Sequence, residues 1–561
     1  MQLRWSVQLV ACCLLCLCTI GTVIRRVVRL SKEFDQGQWK GYLPGLQEGW
    51  LLNRQIDLSD AQWRNFRSSA QILIAAALGT TLLGSLFRNT PRARTLYWLL
   101  VGMGFNFQLH GAYSLFVLVI ATANFLLVKV LAGRRLCPVV FWTASCAMLV
   151  YIRLADGFSF SSFGASWEWL DYHKGSLRWH IGFNLVMLRI LSFGLDYHWK
   201  KLGFAPQNQK AKLEQTKSNA RSLDKPEALN PAWGSYSFAT YLCYLLYPPL
   251  YIAGPTITFD SFASQLSTPQ QRPSGRAVSL YALRLAGCWG LMELLLHFTY
   301  FNALAVSGVW QRFDLPAADV CCIGFGVLNF MWLKFLIIWR FFRLWALMDG
   351  IDPPENMLRC VNNNYDIEGF WKSWHASYNR WLVRYLYIPL GGAKWRFLNI
   401  WVIFTFVALW HDLEWKLLSW AWLTCLLGLP ELVVKSIVRS PRLAGFRKIW
   451  LYSELAAAAG ALNITGLMAA NLVGFVIGPQ GLRAFFFKLL SLSNVALMLY
   501  ILLSFYAATK VMFAIREAEE REKQCRKVGT ECRSTTDVLQ DVYLERRLRE
   551  ENVKRIWHAA D

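Results

Sequence analysis

The chain has 561 residues, of which 55% are apolar, and it includes 27 tryptophans and 36 phenylalanines. A composition this apolar over such a length indicates a membrane protein that crosses the bilayer many times. The formal net charge is +23, but the basic residues are scattered between apolar stretches, so nucleic acid is not expected as a partner. The 14 cysteines show no paired spacing typical of a metal site, and no metal is expected.

Apolar stretches without Asp, Glu, Lys or Arg follow one another along the chain, and several are long enough to cross a bilayer as helices. With shorter stretches that carry single charges, they predict an all-α bundle of about ten to twelve membrane helices, some of them not full spans. The stretch Leu96–Val128 is too long for one span, and His110-Gly111 near its middle predicts two packed or re-entrant pieces. The candidate stretches are Trp5–Ile24, Ser68–Phe87, Leu96–Val128, Leu136–Ile152, Ala228–Phe259, Leu294–Gln311, Leu455–Leu482 and Leu489–Thr509.

Charge and composition divide the chain into three parts. Residues 1–44 are predicted to form a membrane anchor and a basic linker, and the anchor is expected to stay uncleaved because Arg25-Arg26 follow it without a small-residue cleavage site. Residues 45–515 form the membrane domain, and residues 516–561 form a charged tail whose first residues are predicted to extend the last helix. Residues 200–231 are polar and rich in lysine, which predicts a cytosolic insertion.

The stretch from Tyr365 to Asp412 carries two Trp-His pairs, Trp374-His375 and Trp410-His411, with the histidines 36 residues apart on either side of a Pro-Leu-Gly-Gly break. Ionisable groups are costly inside a bilayer, so their presence among apolar residues points to a function. His411 follows an apolar helical face, where burial favours the neutral imidazole that can accept a proton. The alternative for each histidine is a hydrogen-bonded residue of the core.

Aromatic residues around His375 recur at steps of three and four, which predicts one helix with a broad aromatic face. His375 and Asn379 are expected one turn apart on the neighbouring face, with basic residues close by in the sequence. Such a helix is typical of the membrane interface, where aromatic rings sit at headgroup level and Lys or Arg heads reach water. The aromatic residues are Trp371, Trp374, Tyr378, Trp381 and Tyr385.

A longer motif leads up to these pairs from the N-terminal side. It includes Trp339-Arg340, Arg343, Trp345, Asp349-Gly350, Asp352, Pro354-Glu355-Asn356-Met357, Arg359-Cys360-Val361 and Asn363-Asn364-Tyr365, with Tyr247–Pro255 and His110-Gly111 further upstream. With these residues the chain resembles the membrane-bound O-acyltransferase (MBOAT) family, from about residue 45 to residue 515. More narrowly, it resembles the branch that holds the fungal glycerol-uptake-type proteins and the Hedgehog-acyltransferase-like proteins.

The resemblance implies an MBOAT-type helical bundle with an internal tunnel, located in the endoplasmic reticulum membrane, with the plasma membrane as a second location. It implies transfer of a long-chain fatty acyl group from acyl-CoA, which is a donor substrate and not a cofactor, to a lipid hydroxyl. For this branch the implied acceptor is a lyso-glycosylphosphatidylinositol (lyso-GPI) anchor during lipid remodelling, with another lysolipid as the alternative. Protein N-palmitoylation is less expected, because the Hedgehog acyltransferases have Asp where this chain has His375.

The resemblance also assigns roles to residues. His411 corresponds to the proposed base that deprotonates the acceptor hydroxyl, and His375 to a residue that orients the acyl group or stabilises charge on it. Asn379, Trp374 and Trp410 are expected to shape the site. The basic residues nearby, which either bind the phosphates of coenzyme A or anchor the protein at the membrane surface, are Lys372, Arg380, Arg384, Lys394 and Arg396.

Two functions of other classes remain open. A polyol transporter, suggested by the glycerol-uptake name of the branch, is expected to have repeated halves with related broken helices, and the sequence has no such internal symmetry. A catalytically silent regulator of acylation is expected to have lost one of the two histidines, and His375 and His411 are both present.

Shortening the insertion at residues 200–231 is expected to leave assembly of the protein intact, because a polar segment between apolar spans is typical of a surface loop. Protease protection in sealed microsomes measures on which side of the membrane the insertion lies, and we expect cleavage from the cytosolic face. A shielded insertion, or loss of assembly on shortening, contradicts the prediction.

Overall fold

In the computed structural model of the protein, residues 2–203, 231–267 and 275–528 are described. This part of the chain is mainly helical, with one two-stranded antiparallel sheet formed by β1 and β2. The two strands are β1 Leu46–Glu48 and β2 Gln55–Asp57. The first seven helices are α1 Gln2–Asp35, α2 Ala61–Ser68, α3 Ala70–Ser85, α4 Pro91–His110, α5 Ser114–Leu131, α6 Cys137–Leu154 and α7 Trp179–Lys201.

The remaining helices include several short ones, and brief 3₁₀ and π turns interrupt this half of the chain. The middle helices are α8 Phe238–Leu246, α9 Pro248–Ile252, α10 Phe259–Ser267, α11 Gly275–Phe298, α12 Phe301–Val306, α13 Val309–Arg312 and α14 Ala317–Met348. The last helices are α15 Ile367–Ser373, α16 Ala376–Leu382, α17 Arg396–His411, α18 Trp415–Val438, α19 Trp450–Leu472, α20 Gly478–Leu489 and α21 Val495–Val528. The π turns are Val383–Tyr387 and Val473–Ile477.

Nine helical segments of the described residues are long and apolar enough to cross a membrane. Helices α2 and α3 meet at an angle of 53° and form a tenth segment if they are counted as one bent span. The prediction of an all-α, multi-pass membrane protein is confirmed, with nine or ten segments in the described residues against the ten to twelve expected. The nine segments are Val7–Asp35, Ser114–Leu131, Cys137–Leu154, Gly275–Phe298, Ala317–Met348, Gly392–His411, Trp415–Val438, Trp450–Leu489 and Leu492–Glu522.

The stretch Leu96–Val128 contains two helices, as its length predicted. Helix α4 ends at His110, and Gly111 has a φ of 60°, a conformation that glycine adopts without a Cβ clash. The ring of His110 lies 2.7 Å from the hydroxyl of Tyr251 and 2.9 Å from the carbonyl of Leu177. This histidine is therefore a hydrogen-bonded core residue that holds the break between α4 and α5 in place.

The predicted membrane stretch Ala228–Phe259 is wrong in its described part. Instead of one span, it contains the short helices α8 and α9. The two helices are separate because Pro248 disfavours a helical conformation at the residue before it. The guanidinium of Arg189 on α7 donates to the carbonyl of Leu245, at 2.6 Å, and to that of Leu250. A charged group in an apolar helix thus satisfies backbone groups around a break in the core.

The predicted stretch Leu294–Gln311 is also not a span. Helix α11 ends at Phe298, and Tyr300 has a left-handed backbone with a φ of 40°, after which the short helices α12 and α13 follow. The carboxylate of Asp57, at the end of β2, accepts the N–H of Ala303 at 2.9 Å. The small sheet therefore stabilises the turn that ends α11, a long-range contact that the apolar pattern does not reveal.

The start of the charged tail continues the last helix, as predicted, because α21 runs to Val528. The tail also contacts the loop that follows α14. Arg359 forms a salt bridge with Glu519 at 2.9 Å, and Arg516 donates to the carbonyl of Asn363 at 2.6 Å. These contacts attach the end of α21 to the loop that leads into α15.

The predicted division into anchor, membrane domain and tail stays a prediction. Residues 204–230 of the predicted insertion and residues 529–561 of the predicted tail lie outside the described residues. Helix α7 ends at Lys201, so the described chain enters the predicted insertion directly from a helix end.

Two glycines of α14 give a matched pair for the packing of this helix. A Cβ atom added to Gly326 would lie 1.8 Å from a ring carbon of Phe301, whereas one added to Gly324 would lie 3.5 Å from Leu472. Both changes to Ala gain the same helix propensity, about 1 kcal/mol. Only Gly326→Ala adds overpacking, which costs about 1–3 kcal/mol.

We therefore expect Gly326→Ala to melt at a lower temperature than Gly324→Ala, measured by thermal unfolding of the purified protein in detergent. Equal melting temperatures for the two variants would mean that α14 and α12 do not pack as described.

Candidate active site

The chain breaks its helix at Trp374 and His375. Helix α15 ends at Ser373, Trp374 is extended, and His375 has a left-handed backbone with φ and ψ both 46° before α16 begins. The continuous aromatic helix predicted for this stretch is therefore wrong. Left-handed backbone is uncommon for residues other than glycine, and such strained positions concentrate at functional sites.

Asn356 explains why the helix stops and starts again here. Its carbonyl accepts the N–H of Ala376 at 2.9 Å, and its side-chain oxygen accepts the N–H of Ser377 at 3.2 Å as well as the Ser377 hydroxyl. These backbone N–H groups at the start of α16 would pair within the helix if the helix were continuous. A residue about twenty positions upstream thus supplies the hydrogen bonds that the break requires.

The start of α15 is held by a second remote residue, Glu431 on α18. Its carboxylate accepts the N–H of Ile367 at 2.7 Å and that of Glu368 at 3.4 Å. Lys435, one turn further along α18, pairs with Glu431 at 2.6 Å and with Asp366 at 2.5 Å. A carboxylate at a helix N-terminus is also favoured by the helix dipole, so both ends of the segment that carries His375 are fixed.

The ring of His375 is held by aromatic packing. It stacks on Trp339 of α14, with ring centroids 4.5 Å apart and planes at 20°, and it lies 5.1 Å from the ring of Tyr378. Within the described residues, its ring nitrogens have no hydrogen-bond partner. Aromatic packing therefore orients the imidazole and leaves both ring nitrogens able to bind a substrate.

His411 is the last residue of α17, and its ring packs 4.9 Å from Trp410 and 6.0 Å from Phe475. Its backbone carbonyl accepts a hydrogen bond from Arg153 at 3.2 Å, and Arg153 lies 3.8 Å from the carboxylate of Asp412. Carbonyls at a helix C-terminus lack helical partners, and a cation is favourable there. The ring nitrogens of His411, like those of His375, have no partner in the part of the chain that the structure describes.

Trp410 packs near both imidazoles. Its ring centroid is 6.2 Å from that of His375, 4.9 Å from that of His411 and 4.5 Å from that of Tyr378. Its indole N–H donates to the carbonyl of Asn184 at 2.9 Å, and the Asn184 amide donates back to the carbonyl of Trp410. This reciprocal pair fixes the indole against α7, so the spacing of the two histidines is set by three helices.

Both histidines line one cavity of about 700 Å³. The predicted site residues Trp374, Asn379 and Trp410 line it too, so five of the residues predicted for the site meet there. The cavity is otherwise mainly apolar. Its apolar walls include Ile20, Phe325, Leu328, Met331, Phe335, Leu467, Met468, Phe475, Phe505, Val511, Met512 and Ile515.

The basic residues predicted to bind phosphate do not line this cavity. Lys372 pairs with Glu368 at 2.6 Å, and Arg396 pairs with the same carboxylate at 3.2 Å. Burial raises the pKa of Glu368, but the hydrogen bond from Lys372 and the surrounding cations outweigh burial and lower the pKa to about 2. Arg384 binds Asp196 at 2.8 Å and Asp260 at 3.3 Å, two buried carboxylates.

The sequence does not point to Asn184 as a positioning residue, and it indicates Trp339 only as part of the family motif and Tyr378 only as part of an aromatic face. Asn184 lies on α7, which the sequence predicts only as one of the shorter, charge-bearing segments, because Arg189 and Asp196 interrupt its apolar run. A polar residue in an otherwise apolar helix is the signal that could have found it.

Comparisons with known proteins agree with the geometry. Residues 140–473 match the sequence model of the membrane-bound O-acyltransferase family. The chain is 36% identical to membrane-bound O-acyltransferase gup1 of Schizosaccharomyces pombe over 491 residues, which is 85% of this chain and 83% of the relative. It is also 36% identical to membrane-bound O-acyltransferase GUP1 of Saccharomyces cerevisiae, over 85% of each chain.

A more distant relative is the protein-cysteine N-palmitoyltransferase HHAT of Mus musculus, 29% identical over 265 residues, or 44% of this chain and 51% of the relative. The match to the family extends over more than half of the chain, and it includes both Trp-His pairs. The chain therefore belongs to the membrane-bound O-acyltransferase family of acyltransferases, as its motif predicted.

Proposed function

We propose that the protein transfers a long-chain fatty acyl group from acyl-CoA to the hydroxyl group of a lipid, and that the acceptor is a lyso-GPI anchor. One observation carries the proposal: two imidazoles without hydrogen-bond partners among the described residues, those of His375 and His411, line the same apolar cavity. A general base needs a free nitrogen within reach of the substrate proton. A cavity of this character suits an acyl chain, whereas it would be costly for an unpaired charge.

In the proposed reaction, His411 accepts the proton of the acceptor hydroxyl while the hydroxyl oxygen attacks the thioester carbonyl carbon. His375 orients the acyl group and donates its ring N–H toward the charge that develops on the carbonyl oxygen. The tetrahedral intermediate then collapses, the carbon–sulfur bond breaks, and the leaving thiolate takes the proton back from His411. The products are the acylated lipid and free coenzyme A, and no further reactant is needed.

Charge supports one direction of entry for acyl-CoA. The cavity is lined by Asn363, to whose carbonyl Arg516 donates, and by His411, which ends α17. Helix α17 begins beside Glu368 and has 16 residues, so its two ends lie about 24 Å apart. The loop after α18, residues 439–449, contains Lys and Arg but no Asp or Glu. Lys435, near that end of α18, forms a salt bridge with Asp366, which lies three residues after Asn363. By the positive-inside rule this side is cytosolic, so acyl-CoA enters past Asn363.

For the coenzyme A phosphates, Lys372 and Arg380 remain our candidates, together with Lys394, near the proposed cytosolic end. The salt bridge of the exposed Lys372 contributes little stability and can be exchanged for a phosphate contact. We assign Arg384 a structural role instead, because separating it from its two buried carboxylates would leave their charges uncompensated. The endoplasmic reticulum is the proposed location, as the resemblance implies.

Polyol transport and silent regulation are the competing functions. Transport of a small polyol requires no proton acceptor and no apolar chamber, and a silent regulator has no use for two oriented imidazoles with free nitrogens. Neither of these functions produces an acylated lipid, so an acyl-transfer assay distinguishes both of them from the proposed function.

His411→Ala is expected to lower turnover by about 10²–10⁴-fold, the range for loss of a positioned base. His375→Ala is expected to be severe as well, and the double variant little worse than either, because groups that act as a unit are not additive. All three variants should remain folded, since neither ring makes a hydrogen bond among the described residues, and any drop in melting temperature reflects the lost aromatic packing. His173→Ala, at an exposed position outside the cavity, is the matched control and should retain full activity.

The measurement uses purified protein, labelled acyl-CoA and a panel of lyso-GPI, lysophospholipid, sterol, glycerol and peptide, with products identified by mass spectrometry. We expect transfer to lyso-GPI that disappears in the His375 and His411 variants. Preferential transfer to another lysolipid would mean that this lysolipid is the acceptor, and the proposed acyl-transfer reaction would still hold. Glycerol flux in liposomes that survives His411→Ala, without acyl transfer to any acceptor, would establish the transporter.

A further inference from the structure

The hydroxyl of Tyr378 is buried and has no hydrogen-bond partner in the described residues. The residue is only 4% exposed and yet lines the cavity that holds the two histidines. A buried hydroxyl without a partner is destabilising, and in a native structure such a group calls for an explanation, a catalytic role among them.

Comparison with the other buried tyrosines makes this one an exception. Eight tyrosines of the described residues are buried, and the hydroxyls of the other seven all donate to an acceptor of the protein. Tyr244, for example, donates to the carbonyl of Ile257 at 2.7 Å, and Tyr385 donates to Asp196 at 2.9 Å. The fold therefore satisfies its buried phenols as a rule and leaves unpaired the one that borders the cavity.

The position of Tyr378 joins it to both histidines. It lies three residues after His375 on α16, and its ring is 5.1 Å from that imidazole. On its other side it packs 4.5 Å from Trp410, whose ring is in turn 4.9 Å from His411. The two residues just before it, Ala376 and Ser377, are fixed because Asn356 accepts both of their N–H groups. The phenol is thus held rigidly beside the space that both imidazoles border.

We propose that Tyr378 is a further catalytic residue, whose hydroxyl donates a hydrogen bond to the carbonyl oxygen of the thioester as that oxygen becomes an oxyanion. This inference rests on the proposed acyl transfer. When the acceptor oxygen bonds to the carbonyl carbon, the π electron pair moves onto the carbonyl oxygen, and it returns when the carbon–sulfur bond breaks. The Tyr378 proton stays on the phenol throughout, and the proton of the acceptor travels by way of His411 to the leaving thiolate.

Tyr378 complements His375 in this role. A neutral imidazole has one N–H and can donate one hydrogen bond, whereas an oxyanion on a tetrahedral carbon has room for two or three donors. Donors that are already fixed and unpaired stabilise the developing charge without reorganisation, which makes preorganised donors effective. An unpaired phenol beside an oriented imidazole meets that requirement, and a polar partner within the protein would compete with the substrate.

The test is Tyr378→Phe, which removes the hydroxyl and keeps the ring that packs on Trp410. We expect kcat for transfer from labelled acyl-CoA to fall by about 10²–10³-fold, the loss typical of one oxyanion donor. KM for acyl-CoA should change little, and the melting temperature should stay equal or rise because no hydrogen bond is lost. The control is Tyr241→Phe, which removes a buried hydroxyl that donates to the carbonyl of Ala121 at 3.1 Å. It should melt lower and retain kcat.

The inference is overturned if Tyr378→Phe turns over at the rate of an active parent protein. It is also overturned if the variant loses melting temperature and rate together, as expected of a structural hydroxyl. A parent protein that transfers no acyl group to any acceptor of the panel overturns the proposed function, and this inference with it. Lost kcat with retained KM and melting temperature supports the assignment of Tyr378.

Discussion

A helix that breaks inside a membrane bundle exposes backbone groups that water cannot reach, and the break at Trp374-His375 is the constraint on which the site depends. Asn356 pairs with the N–H groups at the start of α16, and Glu431 pairs with those at the start of α15. With both ends satisfied, His375 is held in a left-handed conformation that a continuous helix would not allow. The direction of its ring, the stacking on Trp339 and the cavity wall all follow from that break.

Several charged groups of the interior have a structural role because they pair with groups of the protein. Arg189 donates to carbonyls beside the break between α8 and α9, and Arg384 neutralises two buried carboxylates. Each satisfies groups that would otherwise be costly in an apolar interior. His375, His411 and Tyr378 differ, since none of them has a side-chain hydrogen bond in the described ranges. The proposed chemistry uses these three groups because they alone of the set remain available to a substrate.

The sequence was informative where the cause of a feature is local. The length of Leu96–Val128 and its His110-Gly111 pair predicted two helices, and the family motif led to His375 and His411, which meet in one cavity together with Trp374, Asn379 and Trp410. The site roles themselves stay predictions. The motif carried this information because a site of fixed chemistry needs particular residues at a particular spacing.

Sequence reasoning failed where the cause is remote. Aromatic periodicity around His375 predicts one helix, because the acceptor of the hydrogen bonds at the break, Asn356, lies elsewhere in the chain. The apolar run Ala228–Phe259 predicts a span, whereas its described part packs as short buried helices against Arg189. Charge likewise does not identify the partner of a basic residue: the sequence leaves phosphate binding and membrane anchoring open for Arg384, and its actual partners are carboxylates on α7 and α10.

The most direct test of the account is a structure of the protein with an acyl-CoA analogue in which a methylene group replaces the thioester sulfur, so that the carbonyl remains and cannot be transferred. We predict that the carbonyl group lies between the imidazoles of His375 and His411, with the acyl chain along the apolar wall and the coenzyme A head beyond Asn363. An analogue bound outside this cavity, or with its carbonyl remote from both imidazoles, would contradict it.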